Sequence, residues 1–203
     1  MAKLYFRYGA MNSGKTTALM QVAYNYKERG MRVLILKPAV DTKGQDCIVS
    51  RLGISCKVDV LVTPEMDVVE LVRRDAAEHG APACILCDES QFFTPEQAEQ
   101  LFRVTVDLSI PVICYGLRAD FMMRGFPGST RLLELAHTIE ELKTICACGR
   151  KAICNGRKVN GEFVFEGAQV AIDTVDDVQY QSLCPQCWYR EYRAFLARHP
   201  KAE

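Results

Sequence analysis

The chain has 203 residues, and its 25 Lys and Arg residues balance its 25 Asp and Glu residues. This length suits one α/β domain with a small appendage, and it can bury a core without disulfide bonds. Because the net charge is zero, no long-range field favours DNA, RNA or an acidic membrane, and a small-molecule substrate fits better. We see no secretory leader and no apolar run that could span a bilayer, so we expect a cytosolic protein.

From residue 3 to about residue 116, short apolar runs alternate with amphipathic segments. In chain order, the predicted strands are "KLYFRYG", "MRVLILK", "VDVLV", "ACILCD" and "IPVICYG". The predicted helices are "KTTALMQVAYNYKERG", "PEMDVVELVRRDAAEHG" and "TPEQAEQLFRVTVDL". Strands that alternate with helices in this way predict an α/β fold with a mostly parallel sheet, covered by helices on both faces.

Local signals agree with these elements and mark where the pattern changes. Gly30 and Gly80 are predicted to end the first two helices, and Thr94 with Pro95 to begin the third. Residues 38–57 and 117–129 are long irregular segments, which in a compact domain tend to be functional or mobile. After about residue 143, cysteines and short polar segments replace the alternation, so we predict two domains, 1–143 and 144–203.

Residues 9–16, "GAMNSGKT", match the pattern G-x-x-x-x-G-K-[ST] between a predicted strand and a predicted helix. In this phosphate loop, backbone N–H groups surround phosphate oxygens, Lys15 reaches the β and γ phosphates, and the Thr16 hydroxyl can bind Mg²⁺. An ordinary glycine-rich turn is the alternative, but the flanking strand and helix favour a nucleotide site. The predicted nucleotide-binding residues are Gly9, Ala10, Met11, Asn12, Ser13, Gly14, Lys15, Thr16, Asp88 and Gln91.

The apolar run that begins at Ile85 ends in two adjacent acids, Asp88 and Glu89. Buried carboxylates are costly unless a cation lies nearby. In P-loop proteins, the acid that ends a second apolar strand holds the Mg²⁺ bridging the phosphates, and we assign Asp88 this role together with Thr16. Glu89 could accept a proton from an attacking hydroxyl or water; the alternative is a capping or salt-bridging residue in a loop.

Two close cysteine pairs stand near the C-terminal end of the chain, in "ICACGRKA" and "LCPQCW". Four thiolates of this spacing predict a tetrahedral structural zinc site with no open position, rather than a scatter of buried thiols. The predicted zinc ligands are Cys146, Cys148, Cys184 and Cys187, with Cys154 as a possible substitute.

The remaining cysteines, histidines and several aromatics have simpler interpretations. Cys84, Cys87 and Cys114 lie in strand patterns and are predicted to be small core residues, and Phe93 and Phe126 favour the core as well. The three histidines share no ligand spacing and are predicted to lie at the surface: His79, His137 and His199.

In their order along the chain, "GAMNSGKT", "DESQFF" and the four-cysteine segment resemble the thymidine kinases of the cytosolic, zinc-containing type. The similarity covers nearly the whole chain and includes "KPAVDTK", "ICYGLRADF" and "RGFPGSTRLLELA". It implies a P-loop, RecA-like domain with a small C-terminal zinc-binding lobe, which carries a nucleoside-covering loop and a C-terminal helix. It also implies transfer of the γ-phosphoryl group of ATP to the 5′-hydroxyl of thymidine by a homotetramer.

The resemblance implies roles for individual residues, with ATP, Mg²⁺ and structural Zn²⁺ as cofactors. Glu89 would be the general base, assisted by Lys15. Met11, Phe92, Leu117 and Phe121 would line the thymine pocket, and Tyr180 would close it. Asp41 and Lys43 match a polar loop of the family, and a cation near the γ phosphate could come from Lys43, Arg51 or Arg124.

The chain departs from the family pattern in "AIDTVDDVQYQSLC". Asp173 and Thr174 stand where relatives tend to carry glycine, which lets a backbone approach a ligand closely. The first cysteine pair is C-x-C here, where some relatives have C-x-x-C.

Two other functions compete with a kinase. One is a P-loop ATPase whose zinc ribbon grips nucleic acid, since an adjacent Asp and Glu also serve such motors. The other is a regulatory nucleotide binder without turnover. The neutral net charge and the missing basic patch in the cysteine-rich segment disfavour the first of these.

Overall fold

A computed structural model of the chain describes residues 1–41, 46–50, 53–169 and 177–199. The chain divides into two compact units. The first unit comprises Met1–Tyr8, Gly14–Arg118 and Phe126–Glu141. The second unit comprises Gly9–Ser13, Ala119–Gly125 and Leu142–Glu203.

The first unit is built on a six-stranded sheet. Its strands are β1 (Leu4–Tyr8), β2 (Val33–Pro38), β5 (Val60–Val62), β6 (Cys84–Cys87), β7 (Val112–Gly116) and β8 (Thr138–Glu141), and a separate hairpin is formed by β3 (Cys47–Val49) and β4 (Ser55–Lys57). The sheet order is β5-β2-β6-β7-β1-β8, and all its neighbouring strands are parallel. β7 therefore lies between the strand that leads to the phosphate loop and the strand that ends at the acid pair. The predicted α/β, P-loop fold class is confirmed.

Strand burial explains the apolar runs in the sequence. Every residue of β2, β6 and β7 is buried, as expected for parallel strands covered on both faces. Cys84, Cys87 and Cys114 are buried within these strands, and burial raises the pKa of the Cys84 thiol to about 11. The prediction that these cysteines are core residues is confirmed, and the same holds for Phe93 and Phe126.

Among the described residues, the first unit has four α-helices: α1 (Lys15–Glu28), α2 (Val68–His79), α3 (Pro95–Asp107) and α4 (Pro127–Leu135). The Thr94 side chain accepts from the Gln97 N–H, and the Gln97 side chain accepts in return from the Thr94 N–H, so α3 begins at the predicted place. α2 begins at Val68, four residues after the start of the predicted segment, because the Asp67 side chain caps the Glu70 N–H. None of the helices described is long and apolar enough to cross a membrane.

Both predicted irregular segments contain regular structure, and in residues 38–57 this is the β3–β4 hairpin. Residues 117–129 were predicted to lack regular structure, but α4 begins at Pro127. Proline is favoured at the first helical position, and the close packing of Gly128 on the Phe93 carbonyl leaves no room for a side chain there. Only residues 117–126 of this segment are therefore irregular, apart from an isolated bridge between Ala119 and Gly125.

In the part of the chain that the structure describes, the second unit contains two small antiparallel sheets and one helix. The strands are β9 (Thr144–Ile145), β10 (Lys151–Ala152), β11 (Cys154–Val159), β12 (Glu162–Val164) and β13 (Val178–Leu183), followed by α5 (Pro185–Arg198). β11 is the centre of the three-stranded sheet β12-β11-β13. An aromatic cluster fills the core of the second unit, where Phe165 packs edge-on against Trp188 with the ring centroids 5.0 Å apart. Aromatic burial of this kind lets a small unit build a core of its own.

Candidate active site

The phosphate loop, residues 9–16, has the backbone of an anion-binding turn. Asn12 and Gly14 have φ angles of 64° and 78°, and the left-handed Gly14 leads directly into α1. Gly9 is required for a different reason, since a Cβ there would lie 2.3 Å from the Ser13 Oγ and 2.5 Å from the Leu142 carbonyl oxygen. The Ser13 Oγ is buried and finds no hydrogen-bond partner among the described residues. An orphaned hydroxyl in this turn fits a loop that completes its hydrogen bonds with a phosphate.

Asp88 lies directly after β6 and is 4 % exposed. Burial, and after it the neighbouring Glu89 carboxylate, raise the pKa of Asp88 to about 7. The positive charge of Lys15, which is itself buried at the start of α1, lowers this pKa in part. The structure thus brings Lys15, Asp88 and Glu89 together, and Lys15 supplies the cation that the acid pair was predicted to need.

Glu89 adopts an unusual backbone conformation, and a neighbouring amide fixes its side chain. Its φ angle is 45°, which is uncommon for a residue other than glycine. Its carboxylate does not cap the short 3₁₀ turn at Ser90–Phe92, so the capping alternative is not seen. Instead, the Gln91 Nε2–H donates to the Glu89 Oε2 at 2.5 Å. The half-buried carboxylate is therefore held in one orientation rather than left free in a loop.

Gln91 connects this acid to the end of β7. Its side chain is 2 % exposed, and its Oε1 accepts from the Leu117 N–H at 2.9 Å. Gly116 makes room for this contact, because a Cβ there would lie 2.8 Å from the Gln91 Oε1. We predicted from the sequence that Gln91 binds the nucleotide; the contacts described give it a second role, which is to orient Glu89.

The four predicted zinc ligands form one cluster in the second unit. The sulfur atoms of Cys146, Cys148, Cys184 and Cys187 all lie within 4.8 Å of one another. Tetrahedral zinc with Zn–S bonds of about 2.3 Å places its sulfur ligands about 3.8 Å from one another. The Sγ atoms of Cys148 and Cys184 are 3.6 Å apart, close to that spacing. The Cys187 N–H donates to the Cys184 Sγ at 3.5 Å, and this is the first cause that lowers the pKa of the Cys184 thiol to about 6. A four-thiol donor set of this size fits zinc.

The other thiol and the histidines stand apart from this cluster. The Cys154 Sγ lies 3.6 Å from the Met123 Sδ and is not one of the four clustered sulfur atoms, so the substitute-ligand alternative is not supported. All three histidines are exposed, as predicted.

Comparison with known proteins decides the family. The sequence model "Thymidine kinase" matches residues 2–188. A thymidine kinase of Ruegeria pomeroyi is 47% identical over 190 residues, which cover 93% of this chain and 94% of that protein. The thymidine kinase of Enterobacteria phage T4 is 44% identical over 190 residues, covering 93% and 96%, and that of Legionella pneumophila strain Paris is 49% identical over 174 residues, covering 85% and 83%.

The chain belongs to the thymidine kinase family. The resemblance noted in the sequence is confirmed, and neither the family match nor these relatives favour an ATPase that acts on nucleic acid.

The residues predicted to contact the base in a thymidine kinase are distributed over both units. In the first unit, Leu117 is buried, and the half-buried Phe92 packs edge-on against Phe126 with centroids 5.6 Å apart. In the second unit, Phe121 is 1 % exposed, while Met11 and Tyr180 are half-buried. The Trp188 Nε1–H donates to the Phe121 carbonyl oxygen at 2.9 Å, which ties this loop to α5.

Several predicted residues of the polar loops lie outside the described residues: Lys43, Arg51, Asp173 and Thr174. Asp41 is described and forms an ion pair with the buried Lys37 at 2.9 Å. Arg124, the third candidate for a cation near the γ phosphate, has an exposed side chain.

Three of the buried polar residues described in the second unit contact residues of the candidate site and were missed by the sequence reasoning. Asn155 bridges the phosphate loop and the Phe121 loop, because its Oδ1 accepts from the Met11 N–H and its Nδ2–H donates to the Ala119 carbonyl. Asp120 folds the Phe121 loop by accepting from the N–H groups of Met122 and Arg124. The third is Arg157. Only Asp120 has a local signal, since an Asp that opens a polar turn commonly accepts from the following N–H groups.

Proposed function

We propose that this thymidine kinase family member transfers the γ-phosphoryl group of ATP to the 5′-hydroxyl of thymidine, giving thymidine monophosphate and ADP. The proximity of Lys15, Asp88 and Glu89 at the start of α1 carries the proposal. In the reaction, the bond between the γ-phosphorus and its bridging oxygen breaks, a bond forms to the 5′-oxygen, and the hydroxyl proton leaves.

Position and charge supply most of the catalysis in phosphoryl transfer. The N–H groups of residues 9–16 and the Lys15 ammonium bind the phosphates, and Gln91 remains a candidate for nucleotide contact beside its bond to Glu89. Glu89 accepts the proton of the 5′-hydroxyl, and the amide of Gln91 keeps its carboxylate turned in one direction. The family resemblance assigns contact with the thymine to Met11, Phe92, Leu117, Phe121 and Tyr180.

The donor atoms near Lys15 fit a hard cation. Thr16 and Asp88 offer a hydroxyl and a buried carboxylate. Burial and the Glu89 carboxylate keep the pKa of Asp88 raised even with Lys15 nearby, so a further positive charge would stabilise the ionised carboxylate. Mg²⁺ held by these two residues would neutralise charge on the phosphates during transfer. The cysteine cluster would hold Zn²⁺ with no open coordination position, and its role is structural.

The organisation of the protein is also a proposal. We place the kinase domain at residues 1–143 and the zinc lobe at residues 144–203. The resemblance to cytosolic thymidine kinases supports a cytoplasmic homotetramer that needs neither a membrane nor nucleic acid as a partner.

A product assay tests this function. The purified chain is incubated with ATP, Mg²⁺ and each deoxynucleoside in turn, and nucleoside monophosphate, ADP and free phosphate are quantified. We expect thymidine monophosphate in a one-to-one ratio with ADP, and no product from a Lys15→Ala control. ADP accompanied by free phosphate, with no nucleoside monophosphate, would overturn the proposal in favour of an ATPase.

A further inference from the structure

Arg157 is a charged residue in the interior of the second unit. It lies on β11 opposite Tyr180 of β13, and only 5 % of it is exposed. A guanidinium can be buried at acceptable cost only where acceptors and aromatic faces replace the water around it. The groups that surround Arg157 therefore indicate what it does.

The first set of contacts joins Arg157 to two residues proposed to contact thymine. Its Nε–H donates to the Tyr180 hydroxyl oxygen at 3.2 Å, and its guanidinium carbon lies 5.7 Å from the centroid of the Tyr180 ring. The same carbon lies 3.7 Å from the centroid of the Phe121 ring, which is a close cation–π contact. One planar group thus contacts a ring on one side and a hydroxyl along its edge.

The second set of contacts reaches the backbone that precedes residue 170. The Arg157 Nη2 donates to the carbonyls of Ala168 and Gln169 at 2.7 and 3.1 Å. The Gln169 side chain continues this link, since its Nε2–H donates to the Asp120 Oδ2 at 3.1 Å. Asp120 in turn holds the loop that carries Phe121. Residues 119–125 and 168–169 are therefore fixed to each other twice, through Arg157 and through Asp120.

We infer that Arg157 is a positioning residue for the nucleoside base, which holds Phe121 and Tyr180 in a fixed arrangement against the backbone at residues 168–169. The inference rests on the proposed function, because Phe121 and Tyr180 are two of the residues assigned to the thymine. Arg157 acts through these two residues and is not catalytic.

The chemistry explains why arginine is required at this position. The guanidinium offers donors in one plane, so it can stack on the Phe121 ring while its edge reaches the Tyr180 hydroxyl and two carbonyls. A lysine ammonium keeps the charge but has no plane to stack and no Nε–H in the fork geometry. Arg157→Lys therefore tests the arrangement separately from the charge.

The experiment compares Arg157→Lys with the wild-type enzyme by steady-state kinetics and by direct calorimetric binding of thymidine. We expect the KM and Kd for thymidine to rise about 10- to 100-fold, the scale of losing charge-assisted hydrogen bonds. The KM for ATP, kcat at saturation and the zinc content should change by less than about threefold. A rise in the KM for ATP equal to that for thymidine would mean a general structural role and would overturn the inference.

A control and a second variant complete the test. Lys158→Gln alters the next residue of β11, whose ammonium lies 4.7 Å from the Phe163 ring, and should leave the thymidine KM within about twofold. Tyr180→Phe deletes only the hydroxyl that accepts from Arg157; it should raise the thymidine KM several-fold and combine with Arg157→Lys less than additively. If Arg157→Lys fails to fold, Tyr180→Phe alone decides, and an unchanged thymidine KM would refute the inference.

The two proposals fail in different ways. A wild-type chain that neither binds nor phosphorylates thymidine would remove both of them. An active wild-type enzyme whose Arg157→Lys variant keeps its thymidine KM would remove only the role of Arg157.

Discussion

The acid pair of the first unit and the cysteine cluster of the second solve a similar electrostatic problem differently. Each gathers groups that lose protons into a small volume, so each needs positive charge. The acid pair is served by Lys15 and has two carboxylates in different surroundings, one buried with a raised pKa and one held by Gln91. The cluster has four thiols, enough to complete a tetrahedral site for one metal ion.

The comparison shows that the number of like groups and their surroundings distinguish a structural site from a catalytic site. Four ligands of one kind close a site, while two unequal carboxylates leave one to attract a metal and one to move a proton. Changes in the cluster should therefore damage folding, and changes near the acid pair should damage turnover while sparing or even stabilising the fold.

The largest expected effect is on the cluster. Cys184→Ser should abolish stoichiometric zinc binding and, with it, the structure of the second unit, since structural zinc contributes on the order of 10 kcal/mol to comparable sites. Zinc content by elemental analysis and thermal unfolding measure the loss. Cys154→Ser is the matched control, a buried thiol of the same unit outside the cluster, and should retain one zinc per chain. Zinc retained by Cys184→Ser would contradict the assignment.

Asp88→Asn should stabilise the protein at alkaline pH when no Mg²⁺ or nucleotide is present. The folded pKa of Asp88 is about 7 and the unfolded value is about 4, so the folded protein loses stability from this group as the pH rises through that window. Asparagine removes this loss. The free energy of unfolding of the variant should therefore exceed that of the wild type by about 2 to 4 kcal/mol at pH 8 and by almost nothing at pH 4. Urea unfolding at both pH values measures the difference.

The surface variant Asp107→Asn serves as the control for Asp88→Asn. Its carboxylate lies 3.4 Å from the Arg103 side chain in an exposed pair, so its unfolding free energy should change by less than about 1 kcal/mol at either pH. An Asp88→Asn variant that is less stable than the wild type at pH 8 would show that the carboxylate already has a sufficient partner.

Glu89→Gln should lower kcat about 100-fold or more, the usual scale for losing a general base, while thymidine binding stays largely intact. Single-turnover formation of thymidine monophosphate measures the chemical step directly. Glu99→Gln, which removes an exposed carboxylate paired with Arg131, should leave kcat within about twofold. Unchanged turnover in Glu89→Gln would remove Glu89 from the mechanism.

Gln91→Leu should lower kcat about tenfold, because the hydrogen bond that orients the Glu89 carboxylate is lost and the buried N–H of Leu117 is left unpaired. The KM for ATP distinguishes the two roles of Gln91. An unchanged value supports orientation of Glu89, whereas a rise of tenfold or more would support direct nucleotide contact. Gln21→Leu on the exposed face of α1 is the control and should alter neither constant.

The parts of the fold and the site that the sequence predicts are those with local causes. The phosphate loop, the acid pair and the cysteine pairs are short motifs whose residue types and spacing follow directly from ligand chemistry. The central strands were predictable because their apolar runs are buried on both faces. The capping box at Thr94 likewise lies within four residues of sequence.

The parts that the sequence does not predict depend on contacts between distant residues. α4 was missed because it lies in a segment rich in Gly and Pro, and it is defined by packing of Gly128 on Phe93. β8 was missed because its residues are largely exposed and show no apolar run. Arg157 carries no local signal at all, since its role arises from the pairing of β11 with β13 and from a ring 36 residues earlier in the chain.

The raised pKa of Asp88 has a thermodynamic consequence for ligand association. Near neutral pH, a sizeable fraction of unliganded molecules carries a proton on this carboxyl, and a divalent ion that binds there must displace it. Under the proposed assignment of Mg²⁺ to Asp88, association of the magnesium nucleotide should be accompanied by proton release into the solution. The heat measured by calorimetry should therefore vary with the ionisation enthalpy of the buffer, and this variation should disappear when residue 88 cannot ionise.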